Sequence, residues 1–329
     1  MSTNPVNPSA TVAGTFGRRR LLVAALAVPG LSAVLAACGD DTQGAGANPT
    51  TTAPDTTAPD TTAPDTTGPD TTTPGTGTNI TYGIVHPTAA DEVVVRLGYF
   101  GGLVPFGMAF ENVPSVLISG DGRVYTPGVT TAIFPGPLLP AINVRTIDEA
   151  GIQRVLALAA DAALLQPPPE YSADLNIADA PVTQLILNAN GSTFTHEAYA
   201  LGLQDPAETK ARNVLNGVVI QINDLEQLVG TEHLGEDAPL EPETYRFQAR
   251  PLTVEELGGY TDPVPAVVPW PDSIGVALAD AEMCAEVPAT AVGTLFADAN
   301  ERTFFSEGDG ETATVYQVTA AALLPGDRC

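Results

Sequence analysis

Basic residues are scarce in this chain. Lysine and arginine together number 13 against 39 acidic residues, which gives a net charge of −26, and Lys210 is the only lysine. An acidic surface of this kind repels phosphate backbones and anionic lipid headgroups. The composition therefore argues against nucleic acid as a partner and against membrane binding through a basic patch.

Long hydrophobic runs are also lacking. A membrane-spanning helix needs about twenty consecutive apolar residues. The longest apolar stretch follows the three arginines at residues 18–20 and is interrupted by Pro29 and Gly30. Its length of about fifteen residues is typical of the hydrophobic region of a signal peptide. We therefore expect residues 1–37 to be an export signal.

Cysteine is the third scarcity, with three residues in the whole chain. The first, Cys38, follows Leu35, Ala36 and Ala37, and this arrangement resembles the lipobox of bacterial lipoproteins. The resemblance implies cleavage before Cys38, attachment of diacylglycerol to its thiol, and an acylated (palmitate-bearing) chain at the extracytoplasmic face of the cell membrane. An ordinary secretory signal with a cysteine near its cleavage site is the alternative.

The export route stays open between two systems. Residues 17–22 read Gly-Arg-Arg-Arg-Leu-Leu and resemble a twin-arginine signal, with glycine where that class favours serine or threonine. The basic start of a general secretory signal has a very similar composition.

The other two cysteines, Cys284 and Cys329, are expected to form a disulfide, because thiols outside the cytoplasm are not kept reduced. Two buried free thiols are the alternative. A catalytic cysteine would need a histidine partner, and none of His86, His196 and His233 stands in a recognisable cysteine-protease context.

Residues 38–79 begin with the cysteine and continue as a repeat of threonine, proline and aspartate. The repeat has no apolar residue to seed a core, so we expect a solvated stalk. From residue 80 the composition becomes that of a globular domain. We divide it into a main domain over 80–260 and a disulfide-closed C-terminal subdomain over 261–329, after a proline-dense connector.

The elements of the globular part predict an α+β fold in which antiparallel hairpins alternate with helices packed on the sheet. Asp121-Gly122 and Asn190-Gly191 are typical hairpin turns. A capping box of Thr146 and Glu149 predicts the start of one helix, whose apolar stripe would be Ile152, Val155, Leu156 and Ala159. Asp205 to Glu208 predict the start of a second, long helix that ends at Gly230. Beyond the connector we expect a strand over 274–278, a helix over 289–299 and a hairpin over 303–320.

No segment carries a complete catalytic motif. The Gly-x-Ser-x-Gly nucleophile motif, a Ser-x-x-Lys pair and a Gly-Lys phosphate loop are all missing. His196 begins a zincin-like stretch, but Ala200 replaces the second histidine, so we interpret His196 as a strand residue. We therefore predict no catalytic, cofactor-binding or metal-binding residues.

Two weaker signals have plain structural alternatives. Asp174, Asn176 and Asp179 offer oxygen ligands for calcium, but an Asx-rich turn explains them equally well. Trp270, the single tryptophan, is interpreted as a core residue rather than a ligand platform.

The stretches "PSVLISGDGRVYTPG", "IADAPVTQLILNANGSTFTHEAYALG" and "LLPGDRC" resemble uncharacterised secreted or lipidated proteins of actinobacteria. This resemblance covers most of residues 95–329 and implies a location but no activity. We expect a lipoprotein with a binding or envelope-structural role, whose partner is an envelope protein or a glycan. The alternatives are a hydrolase that uses a pair of carboxylates and the solute-binding component of an importer.

Overall fold

The computed structural model describes residues 83–104, 106–108, 110–172, 177–203 and 209–329 of the 329-residue chain. The predicted signal peptide, Cys38 and the stalk lie outside the described residues.

The described residues form an α+β fold, as the sequence predicts, and both of their sheets belong to one compact unit. The strands of the larger sheet are β1 (Val93–Phe100), β2 (Val116–Ser119), β3 (Arg123–Pro127), β4 (Ile142–Thr146), β5 (Val182–Ala189), β6 (Ser192–Tyr199) and β7 (Ala238–Pro239). They lie in the order β6-β5-β1-β2-β3-β4-β7, and all neighbouring pairs are antiparallel.

The smaller sheet is mixed. Its strands are β8 (Thr244–Pro251), β9 (Ala266–Pro269), β10 (Ala285–Pro288), β11 (Thr303–Glu307) and β12 (Thr314–Ala322). Their order is β10-β8-β12-β11-β9, and the β9–β11 pair is parallel. The sheet takes in β8, so it begins before residue 261, where the sequence predicts the C-terminal subdomain to start.

The described part of the chain also holds five α-helices: α1 (Glu149–Asp161), α2 (Lys210–Asn223), α3 (Leu225–Val229), α4 (Val254–Gly258) and α5 (Ala289–Ala297). Helices α1, α2 and α3 cover one face of the larger sheet and share its main core. The apolar stripe predicted for α1 is buried there: Ile152, Val155, Leu156 and Ala159. Burial of such a stripe, rather than helix propensity, supplies most of a helix's stability in a protein.

The start of α1 differs from the prediction. Thr146 is the last residue of β4, where it pairs with Arg123, so it does not cap the helix. The cap is Asp148, whose carboxylate accepts a hydrogen bond from the amide of Gly151 at 2.8 Å. Because Thr146 belongs to the sheet, it is not available for the predicted capping box.

The predicted long helix up to Gly230 is two helices. Asp224 leaves the helical conformation with φ −103° and ψ 61°, ends α2 and caps α3. The start of α2 is capped by Thr209, which accepts a hydrogen bond from the amide of Arg212 at 3.3 Å. The predicted cap at Asp205 lies outside the described residues.

The strand predicted over 274–278 is wrong. Two short 3-10 turns, Asp272–Ile274 and Leu278–Ala281, stand there instead. Gly275 between them has a φ of +75°, and the indole N–H of Trp270 donates to the carbonyl of Val276 at 2.8 Å. A residue with positive φ does not fit a regular strand, and a backbone carbonyl that accepts a hydrogen bond from a side chain is not free to pair with a neighbouring strand.

Several local predictions are confirmed. Both hairpins form at the expected turns, and Asn190 and Gly191 both have positive φ, as a tight antiparallel turn requires. The hairpin over 303–320 is β11–β12, and the predicted C-terminal helix is α5. Trp270 is 6 % exposed in the second core, beside Phe247, Phe296 and Phe305. Cys284 and Cys329 form the predicted disulfide.

A third, small cluster joins the two sheets. It combines Leu117, Tyr125 and Ile142, which come from the larger sheet, with Ala322 and Leu324 near the C-terminus. The face of the larger sheet opposite its helices is therefore the face that meets the smaller sheet.

Candidate functional site

Strand β1 presents one unusual face. Leu97 points into the main core with the helices, while Arg96 is the strand neighbour of Leu117, which belongs to the cluster between the two sheets. Because side chains alternate along a strand, Arg96, Gly98 and Phe100 share this second face. Gly98 has no side chain, so the surface between Arg96 and Phe100 is left open.

A cavity of about 250 Å³ lies over Gly98. Its polar lining comes from Arg96 on β1, Gln184 on β5, Asn112 in the β1–β2 loop and Arg246 on β8, and Phe100 forms an apolar wall. We call this cavity the arginine pocket. None of its described lining residues is an aspartate or a glutamate, although acids outnumber bases threefold in the chain.

The two arginines share one carboxylate from the C-terminal tail. Arg96 Nη1 lies 2.8 Å from Asp327 Oδ1, and Arg246 Nε lies 3.6 Å from Asp327 Oδ2, which is beyond hydrogen-bond distance. The side chain of Asp327 is only 6 % exposed. The two guanidinium groups share this one carboxylate, so the arginine pair keeps one uncompensated positive charge. A second acid, Glu197, accepts a hydrogen bond from the lining side chain of Gln184 at 2.6 Å.

Arg246 is held from its other side by the β1–β2 loop. Its Nη2 donates to the carbonyl of Phe110 at 3.0 Å, and its guanidinium stacks 4.8 Å from the centre of the Phe110 ring. Its Nε is buried and has no hydrogen-bond partner among the described residues. Phe110 and Asp327 thus fix the arginine in place at the pocket.

The β1–β2 loop, residues 101–115 with 105 and 109 outside the description, lies across the smaller sheet. Phe106 stacks on the guanidinium of Arg250 at 5.3 Å. Gly107, with φ +85°, approaches Thr319 so closely that a Cβ atom at this position would overlap the threonine side chain. The side-chain amide of Asn112 donates a hydrogen bond to the backbone carbonyl of Tyr99. This bond brings the two ends of the loop together at the arginine pocket.

Two further buried polar atoms at this loop also lack a partner among the described residues, Arg250 Nε and Thr319 Oγ1. Together with Arg246 Nε they make three of the four such side-chain atoms, and the fourth is Arg145 Nε. Buried polar atoms in folded proteins are nearly always satisfied.

The same stretch exposes apolar side chains. Among the described residues, five of the eighteen large exposed apolar side chains fall within nine consecutive positions: Phe100, Leu103, Val104, Phe106 and Met108. Tyr99 lies on the other face of β1, where its hydroxyl accepts a hydrogen bond from Asn223 of α2 at 3.1 Å. Single exposed apolar residues are normal on a protein surface, whereas a continuous group is typical of a binding surface.

A carboxyl pair lies near the end of the loop. Burial, and next the charge of Glu301, raise the pKa of Glu111 to about 7 from its ordinary value of 4.5. The carboxylate of Glu301 accepts a hydrogen bond from the amide of Gly136 at 3.2 Å. A carboxyl group that titrates near neutral pH is suited to proton transfer.

His196 has the structural role expected from the sequence. It is buried on β6, where its Nδ1 lies 2.7 Å from the hydroxyl of Tyr171 and its Nε2 lies 2.8 Å from the carbonyl of Leu164. Burial lowers its pKa, which favours the neutral imidazole. We assign the proton to Nε2, because the carbonyl can only accept.

Arg212 also has a structural role. It is fully buried and donates to the carbonyls of Tyr171, Tyr199 and Ala200 at 3.0 to 3.2 Å. These bonds attach α2 to the end of β6 and to the loop after α1.

The remaining sequence-predicted residues do not join the arginine pocket. Cys38, Asp174 and Asn176 lie outside the described residues, and Asp179 stands in an exposed bend. No group of three or more histidine, cysteine, aspartate or glutamate side chains suited to a metal occurs in the described part of the chain. Within the same residues, no helix has the length and apolar character needed to cross a membrane.

The disulfide acts on the pocket indirectly, since Cys329 holds the tail that carries Asp327 two residues earlier. Sequence reasoning missed Arg96, Gly98, Arg246 and Asp327. Arg96 interrupts the apolar run of β1, but Arg246 stands at an ordinary polar position of an alternating strand, so nothing in the two segments indicates that they meet.

Comparison of the chain with protein families, with curated proteins and with solved structures found no match.

Proposed function

We propose that this chain is a lipid-anchored extracytoplasmic protein that binds an anionic ligand in the arginine pocket. The observation that carries the proposal is the pocket's lining of two arginines without an acid, in a chain with a net charge of −26. Charged residues in such a chain are mostly acidic, so two arginines that share a single carboxylate are a specific feature of this site.

The overall negative charge does not prevent an anion from binding. At physiological ionic strength the Debye length is about 8 Å, so distant carboxylates are largely screened. Hydrogen bonds between a guanidinium group and an anion are worth about 1.5 to 3 kcal/mol each. The nearby donors on Arg96 and Arg246 therefore outweigh the remote repulsion.

The cellular location rests on the sequence. The basic start, the short apolar run and the residues before Cys38 support a lipoprotein signal, and the stalk predicted for residues 38–79 would span about 35 Å as a flexible coil. A Cys38→Ala chain should be released from membranes in cell fractionation and should lack acyl mass at its N-terminus. Membrane retention of this variant would contradict the anchor.

The binding role is tested by titrating sodium butyrate and inorganic phosphate into the full chain carrying Cys38→Ala, followed by calorimetry. We expect saturable binding in the millimolar range, where a dissociation constant of 1 mM corresponds to about 4 kcal/mol. Arg246→Gln should abolish it. Arg302→Gln removes the same charge from an arginine that stacks on Phe134 and Tyr260, away from the pocket, and should leave binding intact.

Absence of saturable binding of either anion, or equal binding by all variants, would overturn the binding role. The importer alternative gains no support from the fold, since solute-binding components usually have two lobes with parallel sheets and these sheets are mainly antiparallel.

A second candidate function is hydrolysis, favoured by the pKa of Glu111 near 7 beside Glu301. A carboxyl group with a pKa near 7 is the kind of general acid that glycoside hydrolysis uses. Turnover of a generic glycoside or ester by the Cys38→Ala chain, lost in Glu111→Gln, would favour this function over binding alone.

A further inference from the structure

The size of the arginine pocket limits what it can enclose. Its volume of about 250 Å³ lies below the range of about 300 to 1,000 Å³ that is usual for sites enclosing a drug-sized molecule. A carboxylate or phosphate group fits within it, together with only a short part of what that group is attached to. The rest of a larger ligand must lie outside the pocket.

What lies outside is the exposed apolar group of the β1–β2 loop. Phe100 belongs to both, since it lines the pocket and begins the exposed stretch that continues to Met108. The bond between Asn112 and Tyr99 brings both ends of the loop to the pocket. An apolar chain leaving the pocket past Phe100 would therefore meet the side chains that now face water.

Other occupants fit these observations less well. An apolar face of a protein partner would bury the surplus positive charge without compensation, which is costly. A bilayer surface presents many headgroups over a wide area, whereas the basic lining of this pocket consists of two arginines. A small molecule with one anionic end and one apolar end satisfies both parts of the surface at once.

We propose that the ligand of this site is a single-chain amphiphile whose carboxylate or phosphate head binds Arg96 and Arg246 and whose apolar chain lies along the β1–β2 loop from Phe100 towards Leu103 and Met108. This inference rests on the proposed anion-binding function and adds the class of ligand. It also explains why the exposed apolar residues are concentrated at the mouth of a charged pocket.

The test is a series of straight-chain carboxylates from butyrate to decanoate, titrated below their micelle concentrations into the full chain carrying Cys38→Ala. Full burial of one methylene group tightens binding about fourfold. On a surface that covers one side of the chain we expect about half of that free energy, or twofold per methylene. Decanoate should therefore bind about 60-fold more tightly than butyrate.

Three further ligands with the same ten-carbon tail test the head group. Decanol, which lacks the charge, should bind at least tenfold more weakly than decanoate, and decyltrimethylammonium should not bind at all. Equal affinities for decanol and decanoate would overturn the inference, because the arginines would then play no part. Decyl phosphate binding in place of decanoate would keep the inference and select phosphate as the head.

The chain-length dependence separates this inference from the proposed function. Equal binding of butyrate and decanoate would overturn the amphiphile and leave anion binding standing. Failure of every anion to bind would overturn both.

Variants locate the two halves of the ligand. Gly98→Val fills the open floor without removing a charge and should weaken every carboxylate at least tenfold. A Cβ atom at this position meets its nearest neighbour, Pro114, at 3.8 Å, an ordinary contact. Leu103→Ser combined with Met108→Ser changes only exposed side chains and should reduce the gain per methylene while leaving butyrate unaffected.

Val129→Ser is the matched control, because Val129 is 93 % exposed on another loop. It should leave the whole series unchanged. If the Leu103/Met108 double variant keeps the full chain-length dependence of the parent, the apolar chain lies elsewhere and the inference is wrong.

Discussion

The two hydrophobic cores of this molecule are built differently. The core of the larger sheet is almost entirely aliphatic, and three helices cover it. Among the described residues, Tyr171 is its one buried aromatic member, and Phe194 packs against it partly exposed. The core of the smaller sheet contains Phe247, Trp270, Phe296, Phe305 and Tyr316. The first combines many medium-sized side chains in regular layers, whereas the second depends on a few large ones.

The difference follows from what covers each sheet. Helices present apolar stripes at regular spacing, and aliphatic residues fill the layer between a helix and a sheet. The smaller sheet is covered by α5, which is kinked at Gly293, and by 3-10 turns. The irregular backbone of these segments leaves gaps of uneven size between them and the sheet. Aromatic rings fill these gaps in edge-to-face contacts such as that of Trp270 with Phe305.

The largest expected effect is the loss of a central ring from the second core. Trp270→Ala should lower the free energy of unfolding by about 3 to 5 kcal/mol, because it removes a buried ring that contacts three other aromatic side chains. Leu156→Ala in the first core should cost about 2 to 5 kcal/mol and less than the tryptophan variant. Urea unfolding measures both, and the reverse order would show that the aliphatic core is the more sensitive one.

The disulfide is the next largest effect. Replacing Cys284 and Cys329 together with serine opens a loop with a sequence separation of 45 residues and should cost about 2 to 4 kcal/mol. Because Cys329 holds the tail that carries Asp327, the variant should also change anion affinity at the arginine pocket. Unfolding and butyrate titration of the same sample test both statements, and an unchanged stability would mean that the tail is held by its other contacts alone.

A smaller effect is expected from the cap of α1, a helix that covers the larger sheet. Asp148→Ala removes the cap of α1 and should lower the melting temperature by about 2 to 4 °C. Thr146→Ala, at the position where the sequence placed the cap, should change it much less. Calorimetry compares the two, and a larger effect at Thr146 would show that the cap was assigned to the wrong residue.

The smallest effect depends on pH. The folded pKa of Glu111, about 7, lies above its ordinary value of 4.5, so the folded state binds more protons between these values and stability falls as pH rises through that window. Glu111→Gln removes this loss, so the variant should be more stable relative to the parent at pH 8 than at pH 4.5. Melting temperatures at both pH values decide this, and an equal difference would show that Glu111 titrates normally.

Sequence reasoning recovered most local elements because their causes are local. Asn190 and Gly191 form their turn through their own backbone preferences, and Ile152, Val155 and Leu156 mark a helix face by spacing alone. It failed where a tertiary contact overrode a local preference. Thr146 was taken by a strand, and the stretch around Ile274 was bent around Trp270.

The arginine pocket could not be predicted for a further reason. Arg96 and Asp327 are separated by 231 positions, and Arg246 comes from a different sheet. Their residue types are individually ordinary, and only their convergence over Gly98 makes a site. No spacing rule connects residues so far apart.

The sequence by itself determined the acidic charge, the α+β pattern of hairpins and helices, and the cysteine pair that became a disulfide. These properties follow from composition and from interactions between near neighbours. The tertiary structure alone decided that two sheets meet back to back, that Arg96 and Arg246 share Asp327, and that the apolar loop lies beside them. Contacts between distant segments depend on how whole layers pack, which local preferences do not specify.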